Sequence, residues 1–554
     1  MISTKKEVQV LAALMLEKGI SDVVISPGSR NAPLINTFDA LPEFRCFNIV
    51  DERSAAFFAM GLALRLGRPV AVACTSGSAM LNYAPAAAEA YYQKIPLLLL
   101  TADRPREWVD QSDGQTIQQA GTLDNVVKKS VNLTGGMRDE AEEWFNTRVL
   151  NEALNALVDV DNGPVHINLP FAEPLYDTVD VALPQVKSIT LNRGMAQVDV
   201  STLQELQEEW EAATRKLIIV GQMQPDENLQ GLLNQLANDD AVVVLSEKTS
   251  NIKGDKILDS IDNLLFANDE AALAPDLLIT LGGQIVSKKI KSWLRQHKAQ
   301  GHWHFSAAAE VQDTFMSLTR VLSISPLSVL LNLTPTSNAA YAQQWQALNS
   351  RTQKLHKEYA ASLEFCDFTV FDALIHNIPA GAVLHLANST PVRYAQLFPM
   401  QDVVYQSNRG TSGIDGVIST AAGYAHDDER LNILVVGDLS FFYDSNGLWN
   451  KHFPQNLKIV LINNGGGGIF RFIDGPSRML ASEEHFVAKH QTQAEGIVSA
   501  YNLEFKRANS QDEFEKGFQE LLDENKAAVL EVNTPAEESA RALRGYFKFL
   551  KEKL

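Results

Sequence analysis

Positive charge is scarce in this chain: 48 lysines and arginines stand against 67 aspartates and glutamates, a formal net charge of −19. That balance argues against a nucleic-acid partner, which needs a basic excess to neutralise phosphates. An anionic small molecule must instead meet a local cluster of arginine or lysine. Cysteine is nearly absent. Cys46, Cys74 and Cys366 follow no disulfide or metal spacing and read as small core residues of a reducing compartment. No run approaches the roughly 18 apolar residues of a membrane span. The opening "MISTKKEVQVLAALMLEKG" reads as an amphipathic helix, not a secretion signal, so the expected location is cytoplasmic with no membrane insertion. No histidine precedes His166, although the chain has 11.

What is present is α/β alternation. A chain of 554 residues exceeds one core, and three domains is the natural expectation. Strand-length apolar runs, such as "DVVISPG", "FRCFNIV", "VAVACTSG", "PLLLLTA" and "PVHINLP", alternate with helical periodicity. The pattern restarts with "KLIIVGQ", "AVVVLSE" and "DLLITLGG", then again with "AVLHLANS", "VVYQSN", "LNILVVGD", "KIVLINN" and "AAVLEVN". Such alternation predicts three consecutive doubly wound parallel-sheet domains, over 1–180, 190–355 and 365–554. The middle glycines form no GxGxxG, so no dinucleotide is expected there. The C-terminal "EESARALRGYFKFLKEKL" reads as an ordinary amphipathic helix.

The most informative stretch is "KIVLINNGGGGIF", where a strand ends in two asparagines and four glycines. Glycines cost roughly 0.5–1 kcal/mol each relative to alanine in regular structure. Either the run is a flexible turn, or something must approach the backbone closely. Upstream, "LNILVVGD" ends in Asp438, and Asn464 follows 26 residues later (438 to 464), a spacing that suits a crossover to a parallel neighbour. Both polar groups would then emerge at the carboxyl edge of the sheet, where open α/β folds bind ligands. A carboxylate, an amide oxygen and a backbone carbonyl from the glycine run suit Mg²⁺, which fills its remaining positions with phosphate oxygens and water. Each residue alone also suits a helix cap or a turn; the pair at this spacing favours the metal.

Gly437-Asp438 followed by Asn463-Asn464 resembles the metal–diphosphate motif of the thiamine diphosphate enzymes. The resemblance makes Asp438, Asn464 and the Gly466 carbonyl the metal ligands, for Mg²⁺ or Mn²⁺ in its place. It makes Glu52, in "VDERSAAF", the carboxyl group that hydrogen-bonds the cofactor's aminopyrimidine N1′ and so activates its carbon acid. Taken alone, Glu52 is a first-turn residue complementing the helix dipole. Pyruvate-type decarboxylases of the family place proton-shuttling histidines in the first domain, and this chain has none before that domain's last strand. Leu439 stands where the motif usually has glycine, which narrows the subfamily.

The segments "SPGSR", "TSGSA", "ADRP", "NSTPVR", "SNRGTSGIDG" and "GDLSFFYDSNGL" together resemble the 2-succinyl-5-enolpyruvyl-6-hydroxy-3-cyclohexene-1-carboxylate synthase family over almost the whole chain. Arg30, Arg104 and Arg409 each follow an apolar strand, and converging arginines in an acidic protein suggest polycarboxylate substrates. The resemblance implies decarboxylation of 2-oxoglutarate and 1,4-addition of the succinyl unit to isochorismate. It puts Ser389, Arg393 and Arg409 at the distal carboxylate of 2-oxoglutarate. Isochorismate is then expected near Ser29, Arg30, Arg104, Gln115, Lys288 and Lys289. Ile414 is the expected apolar wedge under the cofactor, with Gly410, Leu439, Ser440 and Ile469 also against it, and Ile469 and Phe470 lining the substrate cavity. Family architecture implies a homodimer or homotetramer with active sites between chains. The polar stretch 474–503 reads as a lid. The rival readings are another thiamine-dependent 2-oxoacid decarboxylase or carboligase, and a relative that binds the cofactor without catalysis.

Overall fold

The computed structural model describes residues 1–192, 198–267, 271–335, 340–471, 479 and 482–554. Part of the expected lid, 474–478 and 480–481, lies outside the described residues. Three parallel sheets carry the chain. The first contains β1 (Asp22–Ile25), β2 (Arg45–Asn48), β3 (Val70–Cys74), β4 (Leu97–Asp103), β5 (Lys129–Asn132) and β6 (Val165–Pro170), in the order β2-β1-β3-β4-β6-β5. The second contains β7 (Lys216–Val220), β8 (Val242–Ser246), β9 (Leu277–Leu281), β10 (Gly301–Phe305) and β11 (Arg320–Leu322), in the order β8-β7-β9-β10-β11. The third contains β12 (Val383–Leu386), β13 (Val404–Gln406), β14 (Asn432–Gly437), β15 (Leu457–Asn463), β16 (Glu504–Ala508) and β17 (Ala528–Asn533), in the order β13-β12-β14-β15-β17-β16.

The first and third sheets thus share one topology. Their central strands are buried on both faces, as a parallel sheet covered by helices requires. The expected crossover is present: β14 and β15 are parallel neighbours in register from Asn432 opposite Leu457 to Gly437 opposite Ile462. A short antiparallel pair, Ile2–Ser3 with Thr178–Val179, ties the ends of the first unit together.

The first and third units pack through α1 (Glu52–Leu66) and α5 (Val417–His426). Small residues let the two backbones meet. A Cβ on Gly61 would lie 2.0 Å from the Thr420 carbonyl oxygen, and one on Gly423 would lie 2.0 Å from that of Phe58. Phe47, Phe57, Phe58 and Met60 join Val417, Ile418 and Leu434 in one shared core, so the two units are a single packed body. Asp51 caps α1 by accepting from the Ser54 N–H, which places Glu52 in its first turn. Among the described residues no helix is long and apolar enough to cross a membrane.

Candidate active site

In the third sheet the chain leaves adjacent β12 and β14 in opposite directions, toward β13 and toward β15. That divergence opens a crevice at the carboxyl edge. The loop after β12 feeds α4 (Thr390–Ala395), and β14 feeds α6 (Asp438–Tyr443). The crevice is a cavity of about 500 Å³. It gathers Lys288, Ser389, Arg393, Arg409, Ile414, Asp438, Leu439, Ser440, Asn464, Gly466, Ile469 and Phe470.

One end of the cavity offers hard oxygen donors. Asp438 is buried, and its carboxylate accepts from the N–H groups of Leu439 (2.6 Å) and Gly466 (2.8 Å). Burial raises its pKa above the ordinary carboxylate value, an effect opposed by those two bonds. Asn464 donates its Nδ2 to Asp367 Oδ2 at 3.0 Å, while its Oδ1 is buried and unpartnered. The Gly466 carbonyl accepts from the Gly468 N–H at 2.9 Å and keeps a second lone pair. Among the described residues no three His, Cys, Asp or Glu side chains group as a metal site. The donor set is therefore one carboxylate, one orphan amide oxygen and one carbonyl, which fits Mg²⁺ completed by phosphate and water.

The glycine run has a second reason to exist. Gly465 and Gly466 hold φ of +74° and +142°, and a Cβ on Gly466 would lie 2.5 Å from the Val487 carbonyl oxygen. That carbonyl accepts from the Gly467 N–H at 2.6 Å, and the Gly465 carbonyl accepts from the His490 N–H at 3.2 Å. The close approach is thus made in part by the chain's own segment 487–490. His490 Nε2 comes within 3.4 Å of Asp438 Oδ2, a contact that no local sequence pattern signalled.

The other end is cationic. Arg409 donates to Asn388 Oδ1 at 2.8 Å, and the Nε atoms of both Arg393 and Arg409 are buried without partners. Burial lowers the pKa of each guanidinium, and Arg393 lowers that of Arg409 further by repulsion. Two like charges held this way are relieved by a bound carboxylate. Lys288 opens α3 (Lys288–Gln296), the end where the helix dipole disfavours a cation, and it stands in the cavity wall. Glu247 fixes that helix start, accepting from the Val286 N–H (2.6 Å) and the Ser287 N–H (2.7 Å). Burial pushes its carboxyl up to about 7.

Two expected contacts fall elsewhere. The Gly410 N–H is bonded at 2.6 Å to Glu89 Oε1 on α2 (Ala84–Gln93), and Gly410 is absent from the cavity wall. Its lack of a Cβ serves domain packing, since one would meet the Glu89 carbonyl oxygen at 2.5 Å. Lys289 sits beside the Phe266 ring, 5.4 Å from its centroid, not in the cavity wall.

The first-sheet residues form a separate edge. Ser29 and Arg30 follow β1, Glu52 follows β2, and Arg104 follows β4, and none of them lines the cavity. Arg30 donates to the Phe171 carbonyl at 2.9 Å and pairs with Glu173 at 3.2 Å. Arg104 donates to the Gly114 carbonyl at 2.9 Å, and Gln115 holds a positive φ of +55° against Gly77. The Glu52 carboxyl is half-buried, and burial raises its pKa. His166, the one histidine of this unit, bonds Thr101 and Ser130 in the core, and burial lowers its pKa to about 4.

Comparison with known proteins identifies the family. Family models for the thiamine pyrophosphate enzyme N-terminal binding domain, middle domain and C-terminal binding domain match residues 6–125, 189–386 and 389–532. The chain is 40% identical over 544 residues to the 2-succinyl-5-enolpyruvyl-6-hydroxy-3-cyclohexene-1-carboxylate synthase of Flavobacterium psychrophilum, covering 96% of both chains. It is 40% identical over 572 residues to that of Bacteroides fragilis, covering 100% of both, and 39% identical over 563 residues to that of Porphyromonas gingivalis, covering 99% and 98%. The crystal structure of benzoylformate decarboxylase from Polynucleobacter necessarius matches with a TM-score of 0.71 at 16% identity over 97% of this chain and 99% of that one, a likeness of fold. The chain therefore belongs to the 2-succinyl-5-enolpyruvyl-6-hydroxy-3-cyclohexene-1-carboxylate synthase family of thiamine pyrophosphate enzymes.

Proposed function

We propose that this protein decarboxylates 2-oxoglutarate and adds the succinyl unit to isochorismate. The products are CO₂ and 2-succinyl-5-enolpyruvyl-6-hydroxy-3-cyclohexene-1-carboxylate, a step of menaquinone biosynthesis in the cytoplasm. The observation that carries the reading is one cavity joining the oxygen set of Asp438, Asn464 and Gly466 to the cations Arg393, Arg409 and Lys288. Thiamine diphosphate, when bound, supplies the electron sink for the carbanion left by loss of CO₂.

The chain's residues do the rest. Asp438, Asn464 and the Gly466 carbonyl would hold Mg²⁺, or Mn²⁺, against the diphosphate. Ser389, Ile414, Leu439, Ser440 and Ile469 would seat the cofactor, and Ser440 already holds the Ile414 loop by donating to its carbonyl at 2.6 Å. Arg393 and Arg409 take the distal carboxylate of 2-oxoglutarate. Phe470 and Ile469 close an apolar wall that keeps water from the reacting carbon. Glu52 would hydrogen-bond the cofactor's aminopyrimidine N1′, and burial raises its pKa, in the direction such a bond needs.

Glu52, Ser29, Arg30, Arg104 and Gln115 lie outside the cavity of their own chain, so a second copy supplies them, in a homodimer or homotetramer. Isochorismate would then lie between that edge and the Lys288–Lys289 helix start. The domains on this reading are 1–180, 190–355 and 365–554. The test mixes protein, thiamine diphosphate, Mg²⁺ and 2-oxoglutarate with and without isochorismate, and identifies the product by mass. A succinylated adduct is expected; CO₂ release with no incorporation of isochorismate would instead mark a simple decarboxylase.

A further inference from the structure

Asn464 can serve a cation only if its amide faces the right way round. Its oxygen is an acceptor and its nitrogen a donor, and a flip about the last side-chain bond exchanges them. With Nδ2 in the cavity, the site would present two hydrogens to a metal. Something must therefore choose.

We infer that Asp367 is the positioning residue that sets the Asn464 amide with its oxygen toward the metal site. Asp367 opens the helix Asp367–Asn377 and is 2% exposed. Its Oδ2 accepts from Asn464 Nδ2 at 3.0 Å. Both carboxyl oxygens of Asp367 accept, Oδ2 from Asn464 and Oδ1 from Thr534, so this pairing takes the amide nitrogen and turns the amide oxygen away. Asn464 Oδ1 is consequently the buried atom left without a partner, in a residue that lines the same cavity as Asp438.

Asp367 is itself fixed from two further elements. Its Oδ1 accepts from Thr534 Oγ1 at 2.5 Å, just past β17, and its N–H donates to Ser539 Oγ at 2.9 Å on the C-terminal helix Ala536–Lys553. A first-turn aspartate usually complements its own helix. Here both oxygens are committed to other elements, one of them to the proposed metal ligand. Outer groups of this kind fix the orientation of the residues that touch the ion.

The inference rests on Asn464 being a metal ligand, and the test separates the two ideas. Mn²⁺ is titrated into the full-length protein with thiamine diphosphate present, and bound ion is read by electron paramagnetic resonance. Asp367→Ala should weaken Mn²⁺ binding about 10- to 100-fold. Asp367→Asn should weaken it less, by about three- to tenfold, because asparagine keeps a hydrogen bond to Asn464 but can offer either its oxygen or its amide and so no longer chooses which way round Asn464 sits. Unfolding without cofactor reads the fold independently.

If Asp367→Ala does not fold, the swap D367N/N464D asks the same question. An aspartate at 464 has two equivalent oxygens, and the asparagine at 367 donates to one of them. The swap should bind Mn²⁺ more tightly than N464D alone, which sets two carboxylates side by side. Wild-type affinity in Asp367→Ala or in Asp367→Asn, or a swap no better than N464D, overturns the inference. Wild type binding no better than Asp438→Ala would overturn the metal reading first, and this inference with it.

Discussion

Truncating Arg393 to alanine should damage the use of 2-oxoglutarate far more than that of isochorismate. Arg393 sits on α4 in the cavity wall, with its Nε buried and unpartnered and its charge set against that of Arg409. A substrate carboxylate bound there loses water and gains this guanidinium. Removing one partner of such a buried pair costs about 2–5 kcal/mol. At 1.4 kcal/mol per tenfold this is about 30- to 4,000-fold in kcat/KM for 2-oxoglutarate. Arg409 remains, already engaged with Asn388 and close enough to share the carboxylate, so the lower part of that range is expected.

The assay varies each substrate at saturating levels of the other and follows 2-oxoglutarate loss. The KM for isochorismate should change by less than about threefold, because additivity holds for groups with no shared partner. Equal losses for both substrates, or a loss confined to isochorismate, would refute this placement of the distal carboxylate.

Three other outcomes follow from the same structure. Glu52→Gln should bind thiamine diphosphate as wild type does and lose at least about 100-fold in turnover, the scale of general acid–base catalysis; wild-type turnover would remove Glu52 from the mechanism. Asp438→Ala should abolish the Mg²⁺ dependence of cofactor affinity, measured by calorimetry with and without chelator. Asp444, fully buried, accepts from the N–H (2.8 Å) and hydroxyl (3.1 Å) of Ser419, yet burial pushes its carboxyl up from an ordinary 3.8 to about 7. Between those values the folded chain holds a proton that the unfolded chain releases, so this group's contribution to stability falls as pH rises through that window. Asp444→Asn should therefore match wild type near pH 4 and become relatively more stable up to pH 7, by urea unfolding; a pH-independent difference would contradict the raised pKa.

Much of this was legible because the chemistry lies at strand ends. "LNILVVGD" and "KIVLINN" became neighbouring parallel strands whose last residues hand Asp438 and Asn464 to the same edge. Arg409, just past β13, also lies in the cavity wall, together with Arg393 on α4. Polar strands escaped notice. "GHWHF" is β10, with His302 and His304 buried against the Thr280 hydroxyl at 3.0 and 2.9 Å, a pairing that hydrophobic periodicity cannot reveal. The edge strand "EFKRA" likewise carries three charged residues. Gly410 looked like part of a cofactor loop because its use, accommodating Glu89 from 321 residues earlier (89 to 410), is a tertiary contact. Asp367 was invisible for the same reason: nothing local to "EFCDFTV" points to Asn464.

Asp438, Asn464 and the Gly466 carbonyl should grip one divalent ion. A crystal grown with thiamine diphosphate and Mn²⁺ tests it by anomalous scattering. A single peak is expected within about 2.0–2.4 Å of one oxygen from each of the three residues, with the remaining positions filled by diphosphate and water. A peak elsewhere, or diphosphate seated away from the glycine run, would contradict it.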